Sequence, residues 1–237
     1  MNVEQLIVQS KPFLSYVVEW KDSLQPLDLG SVLEGQPERG AVISVDVTNG
    51  FCYEGPLASP RVATIVKPIV ALFQRAHALG VRHFILPQDA HDPEAVEFGS
   101  YPPHCVRGSN QSQTVAEIKE LPFADMFTTM PKNCIDSSLG TDLAPWVDDH
   151  PEVDTFIVVG DCTDLCTYQL AMHLRVRANA FNRHVRVIVP EDSTDTYDLP
   201  VNVAHENGAV PHNGDLLHLI FLYHMMLNGV EVVSTIQ

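Results

Sequence analysis

Short, β-branched apolar runs alternate along this chain with segments whose apolar residues recur every three or four positions. No other feature constrains the fold so strongly. The run Ala41-Val42-Ile43-Ser44-Val45-Asp46-Val47 reads as a buried strand, because it is short and nearly all apolar. Val62, Ile65, Val66, Ile69, Val70, Phe73, Ala76 and Leu79 then follow a helical spacing that Gly80 ends. Pro68 inside that pattern predicts either a kink or a true helix start near Val66. Further strands are expected at 81–86, 126–130, 153–159, 185–189 and 230–233, with helices at 164–182 and 214–227. Strands separated by helices imply βαβ units, and so a parallel sheet covered on both faces. The expected fold class is therefore α/β: a three-layer αβα, doubly wound, mainly parallel sheet. Right-handed crossovers would gather the strand C-termini along one edge, where such sheets bind ligands.

Residues 1–40 read as a mixed lead-in closed by the turn-rich stretch 33–40, and 41–237 as one domain without repeats or a splitting linker. Fourteen Lys and Arg against thirty Asp and Glu give a net charge of −16. That charge disfavours nucleic-acid backbones and anionic membranes as partners. Five unevenly spaced cysteines do not form a stapled secreted scaffold and suit a reducing compartment. The N-terminus lacks a basic start followed by an apolar run, so no signal peptide and a cytoplasmic location are expected. The apolar stretch 216–226 reads as core, and leaves room for a homo-oligomer.

Chemistry-bearing residues fall at or just beyond the expected strand ends. Asp46 closes an apolar strand, where desolvation would push a carboxylate toward the range of a working base; it could equally cap the Thr48-Asn49-Gly50 turn. The loop 90–113 is long for a compact domain and therefore points to function. It offers Asp89, His91 and His104 with intervening carboxylates, a mixed N/O set for a divalent metal, or else a polar surface loop. Cys166 is placed in the first turn of a helix with Thr163 or Asp164 as N-cap, where free N–H groups stabilise a thiolate and could stabilise an oxyanion. The same thiol could be a small buried apolar residue, and Cys162 could be the thiol that matters. Lys132, in Met130-Pro131-Lys132-Asn133, would hold a nearby carboxylate charged and polarise a thiol if the fold brought them together.

Four separated motifs, in order, resemble the nicotinamidase branch of the isochorismatase-like cysteine hydrolases over most of residues 41–195. Asp46-Val47-Thr48-Asn49-Gly50-Phe51 resembles the opening that carries the general base. Asp89-Ala90-His91 and Tyr101-Pro102-Pro103-His104-Cys105 resemble the metal motifs. Met130-Pro131-Lys132 resembles the segment of the catalytic lysine, and Gly160-Asp161-Cys162-Thr163-Asp164-Leu165-Cys166 the nucleophile turn. Tyr101 stands where many relatives have Trp, and residues 167–185 lack the usual alanine-rich sequence.

The resemblance implies an isochorismatase-like hydrolase fold, an Asp46–Lys132–Cys166 triad, and a cis peptide between Asp161 and Cys162. The backbone amides of Cys162 and Cys166 would form the oxyanion hole. Asp89, His91, Glu97 and His104 would hold one divalent metal, zinc foremost with Mn²⁺ or Fe²⁺ as alternatives; Glu94 is the fallback for Glu97. Phe51 and Tyr101 would wall a pocket for a small aromatic amide, whose pyridine nitrogen the metal would anchor. The implied reaction is deamidation of nicotinamide to nicotinate and ammonia through an acyl-cysteine, serving NAD salvage. Two other readings remain: a metal-free hydrolase of isochorismate or of a small amide or ureide on the same triad, and a non-catalytic binding protein of this fold.

Overall fold

The computed structural model describes residues 1–237. In chain order its elements are α1 (Val3–Asp22), α2 (Leu29–Leu33), β1 (Gly40–Val45), α3 (Asn49–Cys52), α4 (Pro60–Ala63), α5 (Val66–Ala78), β2 (His83–Asp89), α6 (Ala116–Lys119) and β3 (Phe127–Lys132). They continue with α7 (Leu143–Asp149), β4 (Thr155–Asp161), α8 (Cys166–Ala180), β5 (Arg186–Pro190), β6 (Thr194–Asp195), α9 (Val201–Asn207), α10 (Gly214–Leu227) and β7 (Glu231–Val233). The strands form one sheet in the order β3-β2-β1-β4-β5-β7, with β6 pairing the end of β4, and every pairing is parallel. Strand order reverses between β1 and β4, which opens a crevice at their C-terminal ends.

Strand residues alternate between two cores, as the two-residue period of a strand dictates. Val42, Phe84, Leu86, Ile157, Val159 and Ile188 face α2, α5 and α6. Ala41, Ile43, Val45, Ile85, Phe156, Val158, Val187 and Val189 face α7, α8 and α10. With both faces covered, the layers are αβα. Pro68 falls in the first turn of α5, where no intrahelical N–H bond is lost, so the helix starts at Val66 rather than kinking. Asn213 caps α10, its side chain accepting from the Leu216 amide at 2.9 Å.

The stretch ahead of β1 is more ordered than a lead-in. Asn2 and Gln5 form a capping box at the start of α1, and the helix runs through Pro12 to Asp22. Phe13, Tyr16 and Trp20 surround the ring of Tyr223 on α10, with centroids 5.5, 6.0 and 5.3 Å away, all edge-on. Lys21 pairs with Glu191 at 3.1 Å. Leu27 exchanges backbone hydrogen bonds with the C-terminal segment at Thr235 and Gln237, so the first forty residues pack onto the same body as the sheet. No helix is long and apolar enough to cross a membrane.

Candidate active site

Four parallel strands deliver their last residues to one place. Asp46 follows β1 directly and is wholly buried. Its backbone turns into the left-handed region at φ 54°, a conformation uncommon for a side-chain-bearing residue. β1 and β4 meet tightly enough there that a Cβ on Gly160 would lie 2.0 Å from the Val45 carbonyl oxygen, so only glycine fits. β2 ends on Asp89 and β3 on Lys132, and the register sets those two side by side. β4 ends on Asp161.

Lys132 is the hub of this edge. Its buried Nζ lies 2.8 Å from Asp46 Oδ2 and donates to Asp89 Oδ1. It also reaches the Cys134 carbonyl at 3.2 Å and Cys166 Sγ at 3.7 Å. Burial opposes its charge, but Asp46 and Asp89 hold the ammonium well above the usual lysine range. Burial, with the Asp89 charge adding to it, lifts Asp46 to about 6 against the pull of Lys132. Burial also works against the Asp89 charge, yet Lys132, His104 and His91 keep that carboxyl below its ordinary range. The Asp46 carboxylate accepts the Asp89 amide at 2.7 Å, which fixes its plane. At neutral pH the edge therefore holds one ammonium, one firmly ionised carboxylate, and one carboxylate within reach of a proton.

Cys166 is the first residue of α8 and is buried. Burial pushes its thiol well above the usual cysteine range while Lys132 pulls the other way, so the resting group is a thiol facing a carboxylate base. The preceding turn does not use the caps expected of it: Leu165 occupies the N-cap position without a side-chain bond. Asp164 is turned away, accepting from Thr196 Oγ1 at 2.6 Å and contacting His212 Nε2 at 2.8 Å. Thr163 is held by its amide on the Asp195 carbonyl at 3.0 Å and its hydroxyl on His218 Nδ1 at 2.7 Å. The Asp161–Cys162 peptide is cis. All five cysteines are free thiols.

Asp89, His91 and His104 are buried and bring one ligand atom each within 4.8 Å of one another. His91 Nε2 and His104 Nε2 stand 3.2 and 3.5 Å from Asp89 Oδ2. His104 Nδ1 is 2.9 Å from the Pro102 carbonyl, which can only accept, so Nε2 carries the free lone pair. His91 is fully buried, yet neither ring nitrogen makes a directed hydrogen bond despite the proximity of Asp89. A buried imidazole without partners, converging with a second imidazole and a carboxylate, fits a divalent metal. The loop is closed by backbone pairing, the His91 amide donating to the Cys105 carbonyl at 3.0 Å and the Arg107 amide to the His91 carbonyl at 2.9 Å, and by the Asn133 side chain, which accepts the Asp92 amide at 2.8 Å. Glu97 is not part of the converging set. Its Oε2 accepts the Ile135 amide at 3.2 Å and it lines the neighbouring cavity; Glu94 is exposed.

These groups open into one cavity that includes Cys162, Cys166, Asp89 and His104 in its lining. Phe51 and Tyr101 wall it, together with Leu57, Ile135, Leu165 and Tyr197. Leu57, Ile135 and Tyr197 escaped sequence reasoning because each comes from a segment that long-range packing, rather than a motif, brings to the strand ends; Leu165 lies within the nucleophile turn itself. Asp161 also lines the cavity; burial, with Asp46, Asp164 and Asp195 nearby, holds its carboxyl well above the ordinary range. An apolar, aromatic slot with a thiol, a proton-affine carboxylate and a metal-competent set at its floor can hold a small ligand against a nucleophile and a base.

Comparison with known proteins gives this geometry a context. Residues 40–215 match the isochorismatase domain family. The chain is 32% identical over 234 residues to "Nicotinamidase 1" of Arabidopsis thaliana, covering 91% of this chain and 92% of that protein. It is 27% identical over 190 residues to "Nicotinamidase" of Escherichia coli (strain K12), covering 66% of this chain and 88% of that one. Among solved structures, a cysteine hydrolase from Pseudomonas syringae pv. phaseolicola superimposes with a TM-score of 0.67 at 23% identity, over 84% of this chain and 90% of the other.

Proposed function

The chain belongs to the isochorismatase family of hydrolases, beside its nicotinamidase relatives, and from that premise we propose that it deamidates nicotinamide to nicotinate and ammonia through an acyl-cysteine. The observation that carries this reading is the buried Asp46–Lys132–Cys166 constellation at the floor of an aromatic-walled cavity, adjoining Asp89, His91 and His104.

Asp46 removes the Cys166 proton, since its carboxylate is the raised, proton-ready one and the thiol sits beside it. The thiolate forms a bond to the amide carbon while the backbone amides of Cys162 and Cys166 receive the developing oxyanion. The C–N bond breaks as Asp46 returns the proton to nitrogen, and ammonia leaves. Water, deprotonated by the same carboxylate, then adds to the thioester; the C–S bond breaks, releasing nicotinate and restoring the thiol. Lys132 keeps its two carboxylates and the sulfur in one geometry throughout and offsets the negative charge that accumulates among them. Phe51 and Tyr101 stack against the substrate ring and exclude bulk water. When bound by Asp89, His91 and His104, a divalent ion, zinc foremost with manganese or iron as alternatives, supplies a Lewis acid for a ring nitrogen lone pair.

Ammonia release from nicotinamide tests the reading. The wild-type protein should turn the substrate over, a chelator should stop it, and added zinc, manganese or iron should restore it. Cys166→Ala should be inactive while still binding nicotinamide. Turnover retained in that variant, or no release of ammonia by the metal-loaded wild type, would overturn the assignment. Turnover indifferent to chelator would move the chain to metal-free hydrolysis on the same triad.

A further inference from the structure

We infer that His212 is a charged clamp that holds Tyr197 as the specificity wall of the cavity and Asp164 as the anchor of the nucleophile turn. Both ring nitrogens of this buried histidine face acceptors: Nε2 is 2.8 Å from Asp164 Oδ2, and Nδ1 is 2.8 Å from the Tyr197 carbonyl oxygen. A carbonyl oxygen has no proton to give. Asp164 Oδ1 accepts the Thr196 hydroxyl at 2.6 Å, and because a carboxylate is a far weaker base than an imidazole, the proton shared between Oδ2 and Nε2 rests on nitrogen. Although burial works against its charge, His212 and Thr196 hold that carboxyl below its ordinary range. Both nitrogens must therefore donate, and the ring is an imidazolium.

The imidazolium also lies flat on the Tyr197 ring, with centroids 3.9 Å apart and planes within 19°. A cation over a phenol face adds attraction to the fixed geometry. The backbone reinforces it, because Leu199 and His212 exchange both of their hydrogen bonds, at 2.7 and 2.9 Å. The Asp198 side chain accepts the Gly214 amide at 2.8 Å. The excursion that carries α9 thus leaves and returns at this one cross-link, and Tyr197 is presented from it into the cavity beside Cys162, Leu165 and Cys166. The charged or titratable groups facing His212 are Asp164, from the nucleophile turn, and the Tyr197 phenol, from the segment after β6.

Tyr197 is accordingly a specificity residue and His212 a positioning residue. Loss of the Tyr197 ring should penalise flat substrates alone. Loss of the His212 charge should loosen that ring and the nucleophile turn together. The choice of substrate below rests on the proposed deamidation; the protonation state of His212 does not.

The first measurement is long-range ¹H–¹⁵N correlation on the full chain labelled in histidine. It should show both His212 nitrogens protonated at neutral pH, the signal being assigned by its disappearance in His212→Gln. If that variant does not fold, assignment passes to Tyr197→Ala, in which the stacked ring no longer shields the imidazolium. A neutral His212 overturns the clamp. The second measurement is steady-state kinetics with nicotinamide and with the acyclic propionamide. Tyr197→Ala should raise KM for nicotinamide about tenfold without a matching change for propionamide. His212→Gln should raise KM for nicotinamide and also lower kcat, because it loosens the cavity wall and the nucleophile turn together. Unchanged KM for nicotinamide in both variants would overturn the specificity role. If the wild type hydrolyses neither amide, the proposed deamidation fails, and the imidazolium signature still decides the clamp.

Discussion

Lys132 is an ammonium enclosed between two enclosed carboxylates, and much of the site's energetics follows from that one side chain. Replacing it with methionine would leave Asp46 and Asp89 buried without their cation. Such removal of one partner costs about 3–5 kcal/mol, so Lys132→Met should lower the urea midpoint strongly as well as abolish turnover. Cys166→Ala removes a sulfur whose contacts with Asp46 and Lys132 are weak, the bond from Lys132 being 3.7 Å long, and it should keep the wild-type melting temperature within a few degrees. The contrast between the two variants, by thermal melt and ammonia assay, separates a chemical group from one that is both chemical and structural.

Residues of this kind were legible in sequence because type and place coincide: a carboxylate, histidine or thiol just past an apolar strand is conspicuous. Glu97 shows where that stops. The family resemblance implied that it joins the metal-competent set, but the side chain accepts the Ile135 amide instead. Tyr197 and His212 carry no motif and meet only through the pairing of Leu199 with His212.

Among elements, α10 ran over the residues its pattern predicts, and α5 began where Pro68 allows. α1 was invisible because Pro12 reads as a breaker and its apolar side chains form no single stripe; Val17 is its one buried residue. What docks it is a ring of aromatics around Tyr223, a long-range contact that periodicity cannot report. Tyr223→Ala should cost about 2–3 kcal/mol in chemical denaturation, whereas trimming the exposed first turn of α1 should cost under about 1 kcal/mol.

The same helix is fastened through Glu191, whose carboxyl His218 holds below the ordinary range, with Lys21 adding to the effect against burial. A depressed folded-state value means that this contribution is present above the normal carboxylate range and is lost as pH falls through the folded value. Urea stability measured from neutral pH down to about pH 3 should therefore decline less steeply in Glu191→Gln than in the wild type. Gly160→Ala, at the β1–β4 contact, should destabilise more than any of these surface changes, by upwards of about 3 kcal/mol.

At the scale of the whole molecule, sixteen surplus negative charges press outward on a body of 237 residues. Screening that repulsion should raise the melting temperature by a few degrees between about 0.05 and 0.5 M sodium chloride. An uncharged substrate feels none of this field, so kcat/KM for nicotinamide should stay level across the same series; a steep fall would point to an ionic substrate instead.

The backbone stitching around His91 and Cys105 has a consequence for how the protein would meet a metal at Asp89, His91 and His104. Since the ligand-bearing loop is already closed by chain-to-chain hydrogen bonds, no ordering cost falls on the incoming ion, and none is recovered when it leaves. Ion exchange is then a local event at a finished seat rather than a refolding. Occupancy follows whichever divalent ion the surroundings supply in excess, ranked by the intrinsic preference of two imidazoles and a carboxylate. Preparations from cells grown on different metals should thus share one circular-dichroism spectrum and differ in the element they carry.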